Sequence, residues 1–143
     1  ALYEAVSEGN VDCVKELLSH PRINVNLQCE DGESALYKAV SGDKIQCVKL
    51  FLSHPDINVN LQNEDGESAL YEAVSEGNVD CVKELLSHPR INVNLQCEDG
   101  ESALYKAVSG DKIQCVKLFL SHPDINVNLQ NEDGESALYE AVS

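Results

Sequence analysis

Four Ser-His-Pro triplets, six cysteines and four acidic turns are the parts of this 143-residue chain that could do chemistry. His20, His54, His88 and His122 each stand between a serine and a proline at the close of an apolar helical pattern. There an imidazole is expected to meet the free carbonyls of a helix end rather than to act as a base. A cysteine–histidine zinc site needs close ligand pairs such as Cys-x-x-Cys, and none occurs; a glycine-rich phosphate loop is also missing. The acidic turns, of the form Glu30-Asp31-Gly32-Glu33, lack the ligand spacing of an EF-hand. They recur identically along the chain, which does not suit an active site. The expectation is a non-enzymatic protein with no cofactor and no bound metal.

The cysteines carry a second message. Cys13, Cys47, Cys81 and Cys115 recur every 34 residues, and Cys29 and Cys97 are 68 apart. Equivalent positions in stacked repeats lie about one repeat apart, beyond the ~7 Å Cα reach of a disulfide, so reduced thiols are expected. Cys13 and its equivalents fall in apolar helical patterns, where cysteine behaves as a small hydrophobe. Cys29 and Cys97 fall in a turn and are expected to be accessible to modification.

What positions these groups is a repeat. Residues 69–143 duplicate residues 1–75 letter for letter, and Ala-Leu-Tyr recurs at Ala1, Ala35, Ala69, Ala103 and Ala137. Residues 1–34 and 35–68 agree at 24 of 34 positions. A strict period of this length marks a stacked array. The sequence is therefore expected to form a single array over 1–143, with units 1–34, 35–68, 69–102 and 103–136 and a partial unit 137–143.

One unit reads as follows. Ser34 stands where a helix N-cap belongs, with Glu33 adding negative charge at the positive end of that helix. Leu36, Ala39 and Val40 then give a short helix with one apolar stripe, broken at Gly42-Asp43. A second helix is predicted to start near Asp43, capped by its side chain with Gln46 three residues on. Its apolar positions, Ile45, Cys47, Val48, Leu50, Phe51 and Leu52, suit burial on two sides. Pro55 ends it, and Ile57–Leu61 alternates apolar and polar in extended style. Both helices are shorter than the ~12–15 residues that are marginal in isolation, so neighbouring units must hold them.

Charge and composition narrow the class further. The net charge is −15. Units 1–34 and 69–102 carry seven acids and two bases each, and the other two carry five and three. Such a field repels nucleic acid and anionic membrane and favours basic partners. No apolar run approaches the ~20 residues of a membrane span, and no signal-peptide pattern is present. An intracellular, cytoplasmic protein is expected. The absence of Met implies a processed piece or a window from something longer, natural or engineered.

Helix, turn, helix and hairpin at this period resemble the ankyrin repeat. Gly32-Glu33-Ser34-Ala35-Leu36-Tyr37-Lys38-Ala39 stands in the register of that family's first-helix motif, with Val48–Leu52 and Val59-Asn60 at the matching distances. The tetratricopeptide repeat shares the period but not the extended segment at Ile57–Leu61. The resemblance implies an all-α repeat solenoid of stacked helix-turn-helix units joined by β-hairpin-like loops. It implies a protein-binding scaffold whose hairpin tips and first helices form the partner groove. Carried onto this chain, that selects Glu30, Asp31, Glu33, Ser41 and Gly42, then Glu64, Asp65, Glu67, Ser75 and Glu76. The tips recur as Glu98, Asp99, Glu101 and as Glu132, Asp133, Glu135. This acidic comb would suit a basic or extended protein.

Two of the ten positions that differ between unit types swap charge sign. Glu4, Lys38, Glu72, Lys106 and Glu140 form one alternating series, and Arg22, Asp56, Arg90 and Asp124 form another. In a stack these are expected to meet as inter-repeat ladders that set register, each exposed pair being worth only ~0–1 kcal/mol. The alternative to a ligand-binding scaffold is a structural array, associating head to tail without a dedicated ligand.

Overall fold

Ser34, Ser68, Ser102 and Ser136 adopt extended backbone, and each hydroxyl accepts the N–H of the tyrosine three residues on, at 3.1–3.2 Å. That cap satisfies one of the donors every helix start leaves unpaired. The computed structural model describes residues 1–143. Helices α1 (Leu2–Ser7), α3 (Ala35–Ser41), α5 (Ala69–Glu76), α7 (Ala103–Ser109) and α9 (Ala137–Val142) are the first helices of successive units. Helices α2 (Val11–Leu18), α4 (Ile45–Leu52), α6 (Val79–Leu86) and α8 (Ile113–Leu120) are the second. First helices pack on first helices and second on second, so the chain is an all-α stack of helix pairs. No helix is long and apolar enough to cross a membrane.

The turn between paired helices needs one left-handed residue. Gly9 and Gly77 supply it with φ 70° and 73°; in the other unit type Asp43 and Asp111 supply it with φ 53° and 54°. This corrects the expectation that Asp43 caps α4. The helix begins two residues later, and Lys44 at its N-cap makes no side-chain cap. Asp43 is occupied with the backbone reversal, where its short polar side chain is tolerated.

The segment Ile57–Leu61 also departs from expectation. Its burial alternates, with Ile57 and Val59 only 3% and 2% exposed, but Val59-Asn60 is a turn, not strand. The Asn58 side chain accepts the Asn60 N–H at 3.0 Å, a local bond that competes with sheet pairing. Strand character is limited to four isolated antiparallel bridges, Gln28 to Ser34, Gln62 to Ser68, Gln96 to Ser102 and Gln130 to Ser136. Each pins the base of a hairpin.

A single apolar cluster runs through the stack from Leu2 to Ala137. In its interior Val48, Phe51, Val82, Leu85 and Phe119 are fully buried. Helices of six to eight residues cannot stand alone, and this shared interior is what stabilises them.

Candidate protein-interaction surface

Each hairpin tip is built to hold its neighbour. Gly32, Gly66 and Gly100 adopt φ 77–79°, and a Cβ on any of them would lie 2.7–2.8 Å from the backbone nitrogen of the next tip. That closeness lets Glu64, Glu98 and Glu132 donate their N–H to the carbonyls of Asp31, Asp65 and Asp99 at 2.9–3.1 Å. Below the tips, the side-chain amides of Gln28, Gln62 and Gln96 donate both to their own hairpin and to the following glutamine's carbonyl. Asn63 and Asn131 brace their tips by accepting the N–H groups of residues two and four further on. Cys29 and Cys97 stand at that position in the other unit type. Cys29 is exposed and Cys97 partly so.

On this frame the candidate carboxylates divide. Glu30, Asp31, Glu64, Asp65, Glu98, Asp99, Glu132 and Asp133 are exposed along one edge. Glu33, Glu67 and Glu101 are half-buried and accept the phenolic hydroxyls of Tyr3, Tyr37 and Tyr71 at 3.0, 3.3 and 2.9 Å. Burial and these carboxylates raise the phenol pKa values, to about 12 for Tyr3 and higher still for Tyr37 and Tyr71, so the hydroxyls remain donors. Glu135 accepts from Asn131 at 3.2 Å. Ser41 and Ser75 are half-buried near the ends of α3 and α5, and Gly42 and Glu76 are exposed beside them.

The sign-alternating positions meet the tyrosine of the preceding unit. The Lys38 ammonium lies over the Tyr3 ring, 5.8 Å from its centroid, and Lys106 lies over Tyr71 at 5.9 Å, within cation–π range. Where the series holds glutamate, Glu72 accepts the Tyr37 hydroxyl at 2.6 Å and Glu140 accepts that of Tyr105 at 3.0 Å. Glu4 is exposed. In the second series Arg22 is exposed, and the Arg90 guanidinium donates to the Ile57 and Pro55 carbonyls at 3.0 and 3.4 Å. The carbonyls of Asp56, Arg90 and Asp124 accept the amides of Asn26, Asn60 and Asn94, each at 2.9 Å. Those three asparagines also accept the N–H of Asn58, Asn92 and Asn126, all at 2.8 Å. Reading by charge passed over this amide ladder. Its signal was that Asn26 and Gln28 recur in both unit types.

The histidines correct another expectation. Each accepts at Nδ1 the backbone N–H two residues on, at 3.0–3.1 Å, instead of donating to helix-end carbonyls. The intervening proline turns the chain so that this N–H points back at the ring. The bond requires an unprotonated Nδ1, and burial and Arg90 hold His88 below the ordinary histidine range.

The joints are unequal. Between the second and third units, Tyr37 to Glu72, Asn78 Nδ2 to the Val40 carbonyl at 2.7 Å, the Cys81 thiol to Asp43 at 3.7 Å and Arg90 to Ile57 all cross. The joints on either side have none of these, because Lys38, Lys44, Gly9 and Asp56 in the one, and Lys106, Lys112, Gly77 and Asp124 in the other, stand at the corresponding positions. One carboxyl in this joint titrates abnormally. Burial first, then Glu76 and Glu67, raise the Glu72 pKa, against an opposing pull from the Tyr37 hydrogen bond. A raised carboxyl pKa means that the folded state binds the proton more tightly than the unfolded one. Stability is therefore lost as pH rises through the window above the ordinary glutamate pKa, and is undiminished below it. Glu72→Gln is expected to raise the melting temperature at pH 7 and to bring no gain at pH 3. A pH series of thermal melts checks this, and a gain independent of pH would refute it.

No group of three or more His, Cys, Asp and Glu side chains is placed to hold a metal ion. A family model described as ankyrin repeats (3 copies) matches residues 2–97 and again 89–143. The chain is similar to a solved structure titled as that of EF0377, an ankyrin repeat protein. That likeness has 30% identity and a TM-score of 0.91 and covers 99% of this chain and 71% of the other. No curated protein matches.

Proposed function

We propose, since this chain belongs to the ankyrin repeat family, that it is a scaffold binding a basic, extended segment of another protein along its hairpin tips and first helices. Ankyrin repeats are in general protein-interaction scaffolds and are typically non-catalytic. The observation that carries the finer reading is the exposed edge of eight tip carboxylates, from Glu30 to Asp133, held in register by tip-to-tip backbone bonds. Rigid spacing limits the ordering cost of binding, and a row of one charge sign steers an oppositely charged partner to that edge. Glu33, Glu67 and Glu101 hold the frame and are not primary contacts, because tyrosines occupy them. Ser41, Ser75 and Glu76 border the groove at the first-helix ends.

A synthetic lysine- and arginine-rich peptide, titrated by fluorescence anisotropy, tests the reading. The double variant Glu64→Lys, Asp65→Lys is expected to bind about tenfold more weakly, since two reversed exposed charges are worth roughly 1–2 kcal/mol. Asp56→Lys, Asp124→Lys makes the same change in net charge away from the tips and should alter binding by about twofold or less, as expected of distant screened charges. Equal losses in the two variants would show only a response to overall charge and would sink the proposal.

A further inference from the structure

We propose that the Ser-His-Pro turns are acid-sensitive latches, in which a proton added at the imidazole Nδ1 releases the turn and loosens the amide ladder between neighbouring units. The geometry starts at the close of each second helix. His54 donates its N–H to the Phe51 carbonyl at 3.0 Å, and its own carbonyl accepts the Ile57 N–H at 3.3 Å. Pro55 has no N–H to offer, and Nδ1 of His54 takes that of Asp56 at 3.1 Å. His20, His88 and His122 hold the N–H of Arg22, Arg90 and Asp124 in the same way.

The residue held by the ring is also the one that the preceding unit grips. The carbonyls of Asp56, Arg90 and Asp124 accept the side-chain amides of Asn26, Asn60 and Asn94. Each of the three is thus fixed at its N–H by its own histidine and at its carbonyl by the neighbour. Arg90 adds another tie, from its guanidinium to the Ile57 carbonyl.

The chain makes the same local bond elsewhere without a titrating group. Asn24, Asn58, Asn92 and Asn126 accept the N–H two residues on, each at 3.0 Å. An asparagine oxygen accepts at every pH, whereas imidazole loses Nδ1 as an acceptor on protonation, ordinarily near pH ~6.5. The added proton would then face a backbone N–H, donor against donor.

The charges around the rings are mixed. His88 shares a groove with Lys49 of α4 and Glu84 of α6, and Arg90 stands in its own turn. His122 shares one with Lys83 of α6, and Asp124 stands in its turn. Burial, then Arg90, hold His88 below the ordinary histidine range, so the unfolded chain binds that proton more readily. Stability from this latch is complete above the ordinary range and is lost as pH falls through it. Glu72 acts with the opposite sign, so melting of the parent alone would mix the two.

Hydrogen exchange at single amides, followed by NMR, separates them. Protection of the Asp56, Arg90 and Asp124 amides is taken relative to an unstructured chain at the same pH. It is expected to fall about fivefold between about pH 7.5 and about pH 5.5, as losing one hydrogen bond would bring. The Asn92 amide, held across the joint by Asn60, should fall with Arg90. The Asp65 amide, which Asn63 holds at a tip, should not change. The triple variant His54→Asn, His88→Asn, His122→Asn keeps an acceptor that does not titrate and should lose the response. Unchanged protection in the parent, a fall that survives in the triple variant, or a fall at Arg90 without one at Asn92 would each overturn the proposal. The parent's ring nitrogen shifts give a check that needs no variant: the neutral rings should carry their proton on Nε2, and Nδ1–H at about pH 7.5 would also overturn it.

Discussion

Phe51→Ala is expected to cost about 3–5 kcal/mol, the range for truncating a buried aromatic side chain, and to break the array at its second unit. Phe51 is fully buried in α4 within the common apolar cluster. The cost has two parts, the lost transfer of the ring from water and the cavity left where neighbours relax incompletely. A repeat array adds a third consequence. With eight residues, α4 has no stability apart from its neighbours, and nearest-neighbour coupling is what makes a stack unfold as a unit. The denaturant midpoint should fall, and the slope of the transition should fall with it as the units on either side of α4 melt separately. The sequence supplies a built-in comparison, since Leu85 fills the corresponding place in α6 and is equally buried. Phe51→Leu should therefore cost less than about 1.5 kcal/mol, in the range of volume-tolerant apolar exchanges. Urea titrations followed by circular dichroism measure both variants. A Phe51→Leu loss as large as that of Phe51→Ala would show that the ring's shape, not burial of apolar volume, governs this site.

Gly66→Ala is expected to cost about 2–5 kcal/mol, combining left-handed backbone strain with a forced separation of packed tips. The new methyl group would lie 2.8 Å from the Glu98 nitrogen and 3.1 Å from two Cys97 backbone atoms. Backbone atoms in a bonded tip cannot swing aside as a flexible side chain does, so relief comes only by opening the bond from Glu98 to the Asp65 carbonyl. Gly134 isolates the strain alone: its φ is 78°, yet nothing lies within 4 Å of the corresponding Cβ. Gly134→Ala should cost about 1–2 kcal/mol. Gly42 is the third member of the comparison, with φ −88° and only ordinary contacts around an added methyl group; Gly42→Ala should be neutral or stabilising by a few tenths of a kcal/mol. The order Gly66, Gly134, Gly42 is the checkable result. Equal effects at Gly66 and Gly134 would mean that the tips do not lean on one another.

Local chemistry is what the sequence alone displayed. Period, helix pairing, the serine caps and the apolar stripes of Val48 and Phe51 all depend on residues within a few positions of one another, so their pattern is visible in one dimension. The family resemblance carried in Gly32–Ala39 rested on the same local register, and the comparisons bear it out. The duplication of 1–75 as 69–143 likewise determined that the same helices and turns would recur, while the surroundings of equivalent positions still differ, as between exposed Cys13 and buried Cys81. The tertiary structure decided which partner many of the polar side chains take, because those bonds join groups 30 to 38 residues apart and depend on the spacing of stacked units, and even a local choice depends on how the backbone turns. Asp43 could have capped α4 but is needed for the backbone reversal. Glu33 could have served only the helix that follows it, α3, but Tyr3 reaches it from α1. His54 faces a helix end in sequence, yet the turn at Pro55 brings a nearer donor. Alternating charge is legible in a string of letters; that a phenol from the preceding unit meets each alternate glutamate, and its ring each alternate lysine, follows from the distance at which helices pack.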